Sequence, residues 1–160
     1  MSDADALIAA LRRRGWTLGV AESLTGGAVS AELVSVPGAS NALLGAIVAY
    51  ATPVKNSVLG VDQELLDAHG PVHPQVAAQM ADGVRHAVQV AGHPADVGIS
   101  TTGIAGPDSP DGQPVGTVHI GVVTPLALSV RSFVFDGDRE QVRRSSVNAA
   151  IAAALELVRE

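Results

Sequence analysis

Residues 16–38 read WTLGVAESLTGGAVSAELVSVPG. The apolar run from Trp16 to Ala21 has the length and composition of a short strand, and it ends abruptly in Glu22, Ser23 and Thr25 followed by the pair Gly26–Gly27. From Gly26 to Val36 the apolar positions return at helical spacing, closed by Pro37–Gly38, so the stretch is a strand, a polar turn and a helix. Two readings of the turn stand. Ser and Thr are ordinary N-cap residues. Alternatively, a glycine pair lets the backbone turn tightly and approach a ligand, which presents Ser23 at the strand-to-helix junction.

The same alternation continues outward. Upstream, Ala6, Leu7, Ala10 and Leu11 keep helical spacing within residues 3–14, and Gly15 ends that helix. Downstream, GAIVAY at 45–50 reads as a buried strand, Pro53 opens a short helix around Val54, Lys55 and Val58, and another turn or two follows Asp62. A long helix is expected over 74–91 on the face Val76, Ala77, Met80, Val84, Ala87 and Val88. ADVGIST at 95–101 is a third strand, VGTVHIGVVT and ALSVRSFVF make a hairpin about Pro125, and GDREQVRR opens a final amphipathic helix. Alternating strands and helices followed by a hairpin predict a three-layer α/β/α sandwich on a mixed sheet of about five strands, as one domain over residues 1–160.

Composition narrows the function classes. A net charge of −6 and only Trp16, Tyr50, Phe133 and Phe135 as aromatics leave neither a basic stripe nor a stacking platform, so nucleic acid is not an expected partner. The N-terminal segment places acids before its apolar residues and arginines after them, the order of a helix rather than of a secretion signal, and no apolar run approaches the roughly 20 residues of a membrane span. A cytoplasmic protein without membrane association is expected. The chain has no cysteine, which excludes thiolate chemistry. His69, His73, His86, His93 and His119 show no ligand spacing, so neither a metal nor a cofactor is expected.

Ligands on open α/β sheets sit at the carboxyl ends of the strands. ESLTGG, ATPVKN and TTGIAGP all follow strands, so three distant loops can converge there. A nucleophile elbow of the G-x-S-x-G type is absent, since Ala21 and Thr25 stand at its glycine positions. Lys55, the only lysine, sits among Val54, Val58 and Leu59. It is either a solvated lysine on a short helix or a desolvated amine that can take a proton from a serine.

AESLTGG, the Y-x-x-x-x-K of YATPVK, LGV at 59–61, TGIAGPDSPDGQPVGTV and GDREQVRR, in this order and spacing, resemble the CinA C-terminal domain family in its stand-alone form. The resemblance runs from Ala6 to Leu157. It implies hydrolysis of the carboxamide of nicotinamide mononucleotide to nicotinic acid mononucleotide and ammonia by a serine–lysine mechanism, with Ser23, Lys55 and Tyr50 as catalytic residues. It further implies substrate loops at Thr25, Gly26, Gly27, Thr102 and Gly103, and phosphate recognition by Arg139 and Arg143. Glu22, counted with the substrate-binding residues, orients the loop through a hydrogen bond, interacts with a cation, or is a plain solvated carboxylate. The chain departs from the family at Leu24, where many members carry Cys, and at His73–Pro74. A catalytically silent nucleotide-binding or regulatory module is the other class of reading, and retention of Ser23, Lys55 and Tyr50 favours the enzyme. A homodimer is expected on general grounds.

Overall fold

Ser2 starts the first helix, α1 (Asp3–Arg14), through a reciprocal capping box with Asp5, and Gly15 closes it at φ 68°. The computed structural model describes all 160 residues, Met1–Glu160. From there the chain runs through β1 (Leu18–Glu22), α2 (Ala28–Val34), a 3₁₀ turn (Ala39–Asn41) and β2 (Leu43–Val48). It continues through α3 (Thr52–Ser57), α4 (Gln63–His69), α5 (Pro74–Ala87), β3 (Val97–Gly103), β4 (Thr117–Val123), β5 (Leu128–Val134) and α6 (Arg139–Arg159). The five strands lie in the order β2-β1-β3-β4-β5. β1 is parallel to both β2 and β3, while β4 and β5 are antiparallel additions.

Helices cover both faces of this mixed open sheet. Leu18, Val20, Val97, Ile99, Val118 and Ile120 turn toward α1, α2 and α6 in a core of 28 buried residues. On the other face, Leu65, Leu66, Val76, Met80 and Val84 of α4 and α5 close over Ala21 and Ala49 in a smaller cluster of nine. The crossover from β1 to β2 passes through α2 on the first face, whereas the crossover from β2 to β3 passes through α5 on the second. The chain therefore diverges to opposite faces beside the carboxyl end of β1, and this is where an α/β sheet opens a crevice. Ser23 is the first residue beyond that end.

Three expectations from the sequence are corrected. The third strand, read at 95–101, spans Val97–Gly103, so Thr102 and Gly103 stand on the strand itself and not in the loop after it. The strand read at 45–50 spans Leu43–Val48 and is half-buried rather than buried, because β2 is an edge strand with β1 as its only neighbour. The helix read at 74–91 ends at Ala87, because Val90 and His93 exchange backbone hydrogen bonds across a turn in which Ala91 and Gly92 both have positive φ. The hairpin of β4 and β5 and the helix after Asp138 lie where the sequence placed them.

α5 lies unusually close to the sheet. A Cβ at Gly98 would overlap the carbonyl of Ala81, and one at Gly121 would overlap that of Ala77. The hydroxyl of Ser100, between them on this face, donates to Ala77 O at 2.6 Å. Because the obstructing atoms are backbone, Gly98→Ala must push the helix outward. We expect it to cost about 3 kcal/mol, lowering the melting temperature by about 10 °C. An unchanged melt in a thermal scan would show that the helix has slack at this crossing.

Candidate active site

Three parallel strands end on one side of the sheet and deliver the loops of the site. At the end of β2, Ala49 and Tyr50 lead into α3, whose first turn carries Pro53 and whose inner face carries Lys55. Lys55 is 1% exposed and is the largest fully buried side chain in the molecule. Its Nζ lies 2.8 Å from Ser23 Oγ, 2.7 Å from Ala49 O and 3.2 Å from Tyr50 O. No carboxylate pairs with it. Desolvation without a compensating anion lowers its pKa from the usual 10.5 to about 8.

These three contacts satisfy either protonation state. An ammonium donates one proton to each of the three oxygens. A neutral amine keeps two N–H groups for the carbonyls of Ala49 and Tyr50, and its lone pair then accepts the Ser23 hydroxyl proton. A proton can thus pass between Oγ and Nζ without moving a side chain. Of the two sequence readings of Lys55, burial excludes the solvated one.

The turn after β1 is held from several directions. Glu22 is fully buried. Its carboxylate accepts the backbone N–H groups of Gly27 at 3.1 Å, Val29 at 2.9 Å and Ser30 at 3.0 Å, together with the Ser30 hydroxyl at 2.7 Å. Gly27 occupies the N-cap position of α2 but has no side chain, so Glu22 supplies the capping oxygen from five residues upstream. The cap is therefore Glu22 and neither Ser23 nor Thr25, which leaves Ser23 free to face Lys55. Thr25 is also fully buried and shares a 2.8 Å hydrogen bond with Thr101, whose hydroxyl in addition accepts the Ser23 N–H at 3.3 Å. The N–H groups of Leu24 and Thr25 meet no acceptor in the chain.

A cavity of about 390 Å³ opens over Ser23 and Lys55. Among the residues picked out from the sequence, Ser23, Tyr50, Lys55, Thr102, Gly103 and Arg139 line it together. Glu22, Thr25, Gly26, Gly27 and Arg143 do not line it: Gly26 and Gly27 are part of the turn, and Glu22, Thr25 and Arg143 hold that turn through hydrogen bonds away from the cavity. Tyr50 is largely exposed at the mouth, where its phenolic oxygen accepts from Arg139 Nη2 at 3.3 Å. Arg139 Nη1 also donates to Gly106 O at 2.7 Å, tying the start of α6 to the loop after β3. Thr102 donates its hydroxyl to Pro71 O at 2.6 Å.

Several residues of the site were not singled out within the loops that the sequence brought together, or lie outside those loops. Thr101 is one: side chains alternate along a strand, so in the pair Thr101–Thr102 one hydroxyl faces the Ser23 turn and the other faces Pro71. Leu24, Thr52, Pro71, Val72, Ile104 to Gly106, Asp108, Pro110 and Asp111 complete the cavity wall. His73 caps α5, its Nδ1 accepting from Gln75 N at 3.1 Å, and its ring stacks on His69 at 4.5 Å; neither histidine reaches the cavity. No group of three or more His, Asp and Glu side chains is close enough together to hold a metal ion. No helix is long and apolar enough to cross a membrane.

Comparison with known proteins agrees with this architecture. The family model of the CinA C-terminal domain matches residues 2–158. A CinA-like protein of Frankia casuarinae is 48% identical over 149 residues, covering 93% of this chain and 32% of its own length. A CinA-like protein of Anaeromyxobacter dehalogenans is 43% identical over 149 residues, covering 92% of this chain and 35% of its own. The chain thus spans about a third of the length of these curated relatives. The crystal structure of a competence-damaged protein (CinA) superfamily protein from Klebsiella pneumoniae superposes with a TM-score of 0.90 at 32% identity, covering 98% of this chain and 96% of that one. A competence/damage-inducible protein from Agrobacterium tumefaciens superposes with a TM-score of 0.88 at 28% identity, covering 100% and 98%. With its fold and nearly its whole length matched, the chain belongs to the CinA C-terminal domain family.

Proposed function

We propose that this chain hydrolyses the carboxamide of nicotinamide mononucleotide to nicotinic acid mononucleotide and ammonia, with Ser23 as nucleophile and Lys55 as base. The observation that carries the proposal is the 2.8 Å contact between Ser23 Oγ and a buried Lys55 held at a pKa of about 8. At neutral pH about a tenth of the lysines are then unprotonated, against fewer than about one in a thousand at the ordinary value. A positioned base beside a serine is the arrangement that nucleophilic acyl transfer needs.

In the first half-reaction Lys55 Nζ takes the hydroxyl proton as Oγ attacks the carboxamide carbon. The tetrahedral intermediate places its negative oxygen on backbone donors of the turn, where Leu24 N–H lies unpaired beside the nucleophile. The ammonium of Lys55 then returns the proton to the departing amino group, and ammonia leaves an ester on Ser23. In the second half-reaction a water molecule gives its proton to Lys55 and attacks the ester. Collapse releases the carboxylic acid and restores the serine hydroxyl.

The walls suit a small zwitterion. Asp108 and Asp111 on the loop after β3 can face a pyridinium cation, and Arg139 can face a phosphate. The cavity volume falls within the roughly 300–1,000 Å³ of small-molecule sites. The purified chain is expected to release ammonia from nicotinamide mononucleotide in a coupled assay. An intact, folded preparation that releases none would leave the silent nucleotide-binding module as the better reading.

A further inference from the structure

Arg143 lies one turn inside α6, half-buried and outside the cavity. No carboxylate neutralises it, whereas its neighbour Arg144 pairs with Glu140. Its Nε donates to Leu24 O at 2.9 Å and its Nη2 to Thr25 O at 3.3 Å. A Cβ at Gly26 would sit 3.5 Å from the same Nη2, so the guanidinium lies directly against the turn. The charge of this arginine is thus spent on two consecutive carbonyls immediately after the nucleophile.

Each peptide unit of that turn is fixed on a known side. Ser23 N–H is held by Thr101, Ser23 O by Gly26 N–H at 3.1 Å, and Gly27 N–H by Glu22. Among the amides from Ser23 to Ala28, Leu24 and Thr25 alone have unpaired N–H groups. In a planar trans peptide the N–H lies opposite the preceding carbonyl, so holding Thr25 O sets the plane of Gly26 N–H, which in turn holds Ser23 O and with it the plane that carries Leu24 N–H, while holding Leu24 O sets the plane of Thr25 N–H behind it. A cationic donor on a carbonyl also polarises the peptide and strengthens the donors of the turn.

We propose that Arg143 is a positioning residue that acts through the backbone: it grips the carbonyl side of the Leu24–Thr25 turn so that the N–H of Leu24, a residue of the cavity wall, stays open to receive a developing oxyanion. This rests on the amidohydrolase reading and assigns Arg143 a role other than the phosphate recognition that the sequence suggested. Losing the grip disturbs donors that act in the transition state, and removal of one such donor typically lowers turnover by about 10²–10³-fold.

The test compares Arg143→Ala, Arg143→Lys and Arg139→Ala on nicotinamide mononucleotide and its dephosphorylated riboside. Arg143→Ala is expected to lose about 10²-fold in kcat for both substrates alike, with KM changed by less than about threefold. Arg143→Lys, which keeps one charged donor, should recover part of the loss, and added methylguanidine should rescue the Ala variant. Arg139→Ala should instead raise KM for the mononucleotide more than for the riboside. A KM increase confined to the mononucleotide in Arg143→Ala, or unaltered kinetics, overturns the proposal. Independently of turnover, the backbone amide resonances of Leu24 and Thr25 should shift and exchange faster in Arg143→Ala while its melt stays close to wild type. Unmoved resonances overturn the proposal. A wild-type chain inert toward both substrates, with resonances that do move, defeats the amidohydrolase reading alone.

Discussion

Ser23→Ala is expected to lower ammonia release from nicotinamide mononucleotide by about 10⁴-fold or more, because it removes the atom that forms the covalent bond in the proposed mechanism and residual rate can then come only from the remaining donors and substrate binding. The fold should survive. The Ser23 side chain contributes one hydrogen bond, to Lys55 Nζ, and Nζ keeps the carbonyls of Ala49 and Tyr50 when it is gone. Loss of one such contact changes stability by about 1 kcal/mol. The measurement pairs turnover with a thermal melt. Activity within tenfold of wild type would remove Ser23 from the chemistry, and a collapsed melt would make it structural. A fluorophosphonate probe gives a second view that needs no correct guess of substrate. An activated Ser23 displaces fluoride and adds the phosphonyl mass at residue 23, whereas the Ala variant stays unlabelled.

The order of elements was legible in the sequence because each boundary carried its own chemistry. Gly15, the Gly26–Gly27 pair, Pro53, Pro74 and Asp138 stand at helix ends and impose them locally. What was not legible depended on neighbours in space. GAIVAY is equally apolar whether it becomes a central strand or an edge, and only pairing with β1 alone leaves β2 half-exposed. Ser23 and Lys55 could be singled out as candidates because Lys55 is the single lysine and Ser23 sits at a glycine turn, and the family resemblance supplied the roles of nucleophile and base proposed for them. The functions of Glu22, Thr101 and Arg143 could not be separated in the same way. All three act on backbone groups 5 to 119 positions distant in sequence, and a backbone partner leaves no mark on residue type. Glu22 is the clearest instance, since a buried carboxylate satisfied by four donors looks, in a string of letters, like a carboxylate in a binding site.

The pH dependence of Lys55 tests the mechanism and the energetics together. The base must be neutral, so kcat/KM for wild type is expected to rise tenfold per pH unit below about pH 8 and to level off above it. Lys55→Arg and Lys55→Met should each lose about 10²–10⁴-fold, and neither should show the rise. A guanidinium keeps the charge but holds its proton throughout this range, so an Arg variant near wild-type activity would assign Lys55 an electrostatic role instead of a basic one. The stability consequence falls in a higher pH interval. Lys55 has a folded pKa of about 8 and an unfolded value near 10.5, so the folded chain binds fewer protons between those limits. Burying the ammonium therefore destabilises the wild type fully below about pH 8, and the penalty fades as pH rises to about 10.5. Lys55→Met carries no such penalty but leaves the carbonyls of Ala49 and Tyr50 without this donor, at a cost of about 1 kcal/mol or more that does not vary with pH. The stability difference between the two proteins should thus move in favour of wild type by up to about 3 kcal/mol from pH 8 to 10.5, read from denaturant melts at each pH. A difference that stays flat across this interval would mean that Lys55 titrates normally in the folded chain, and the same result would remove the neutral amine on which the proton transfer from Ser23 depends.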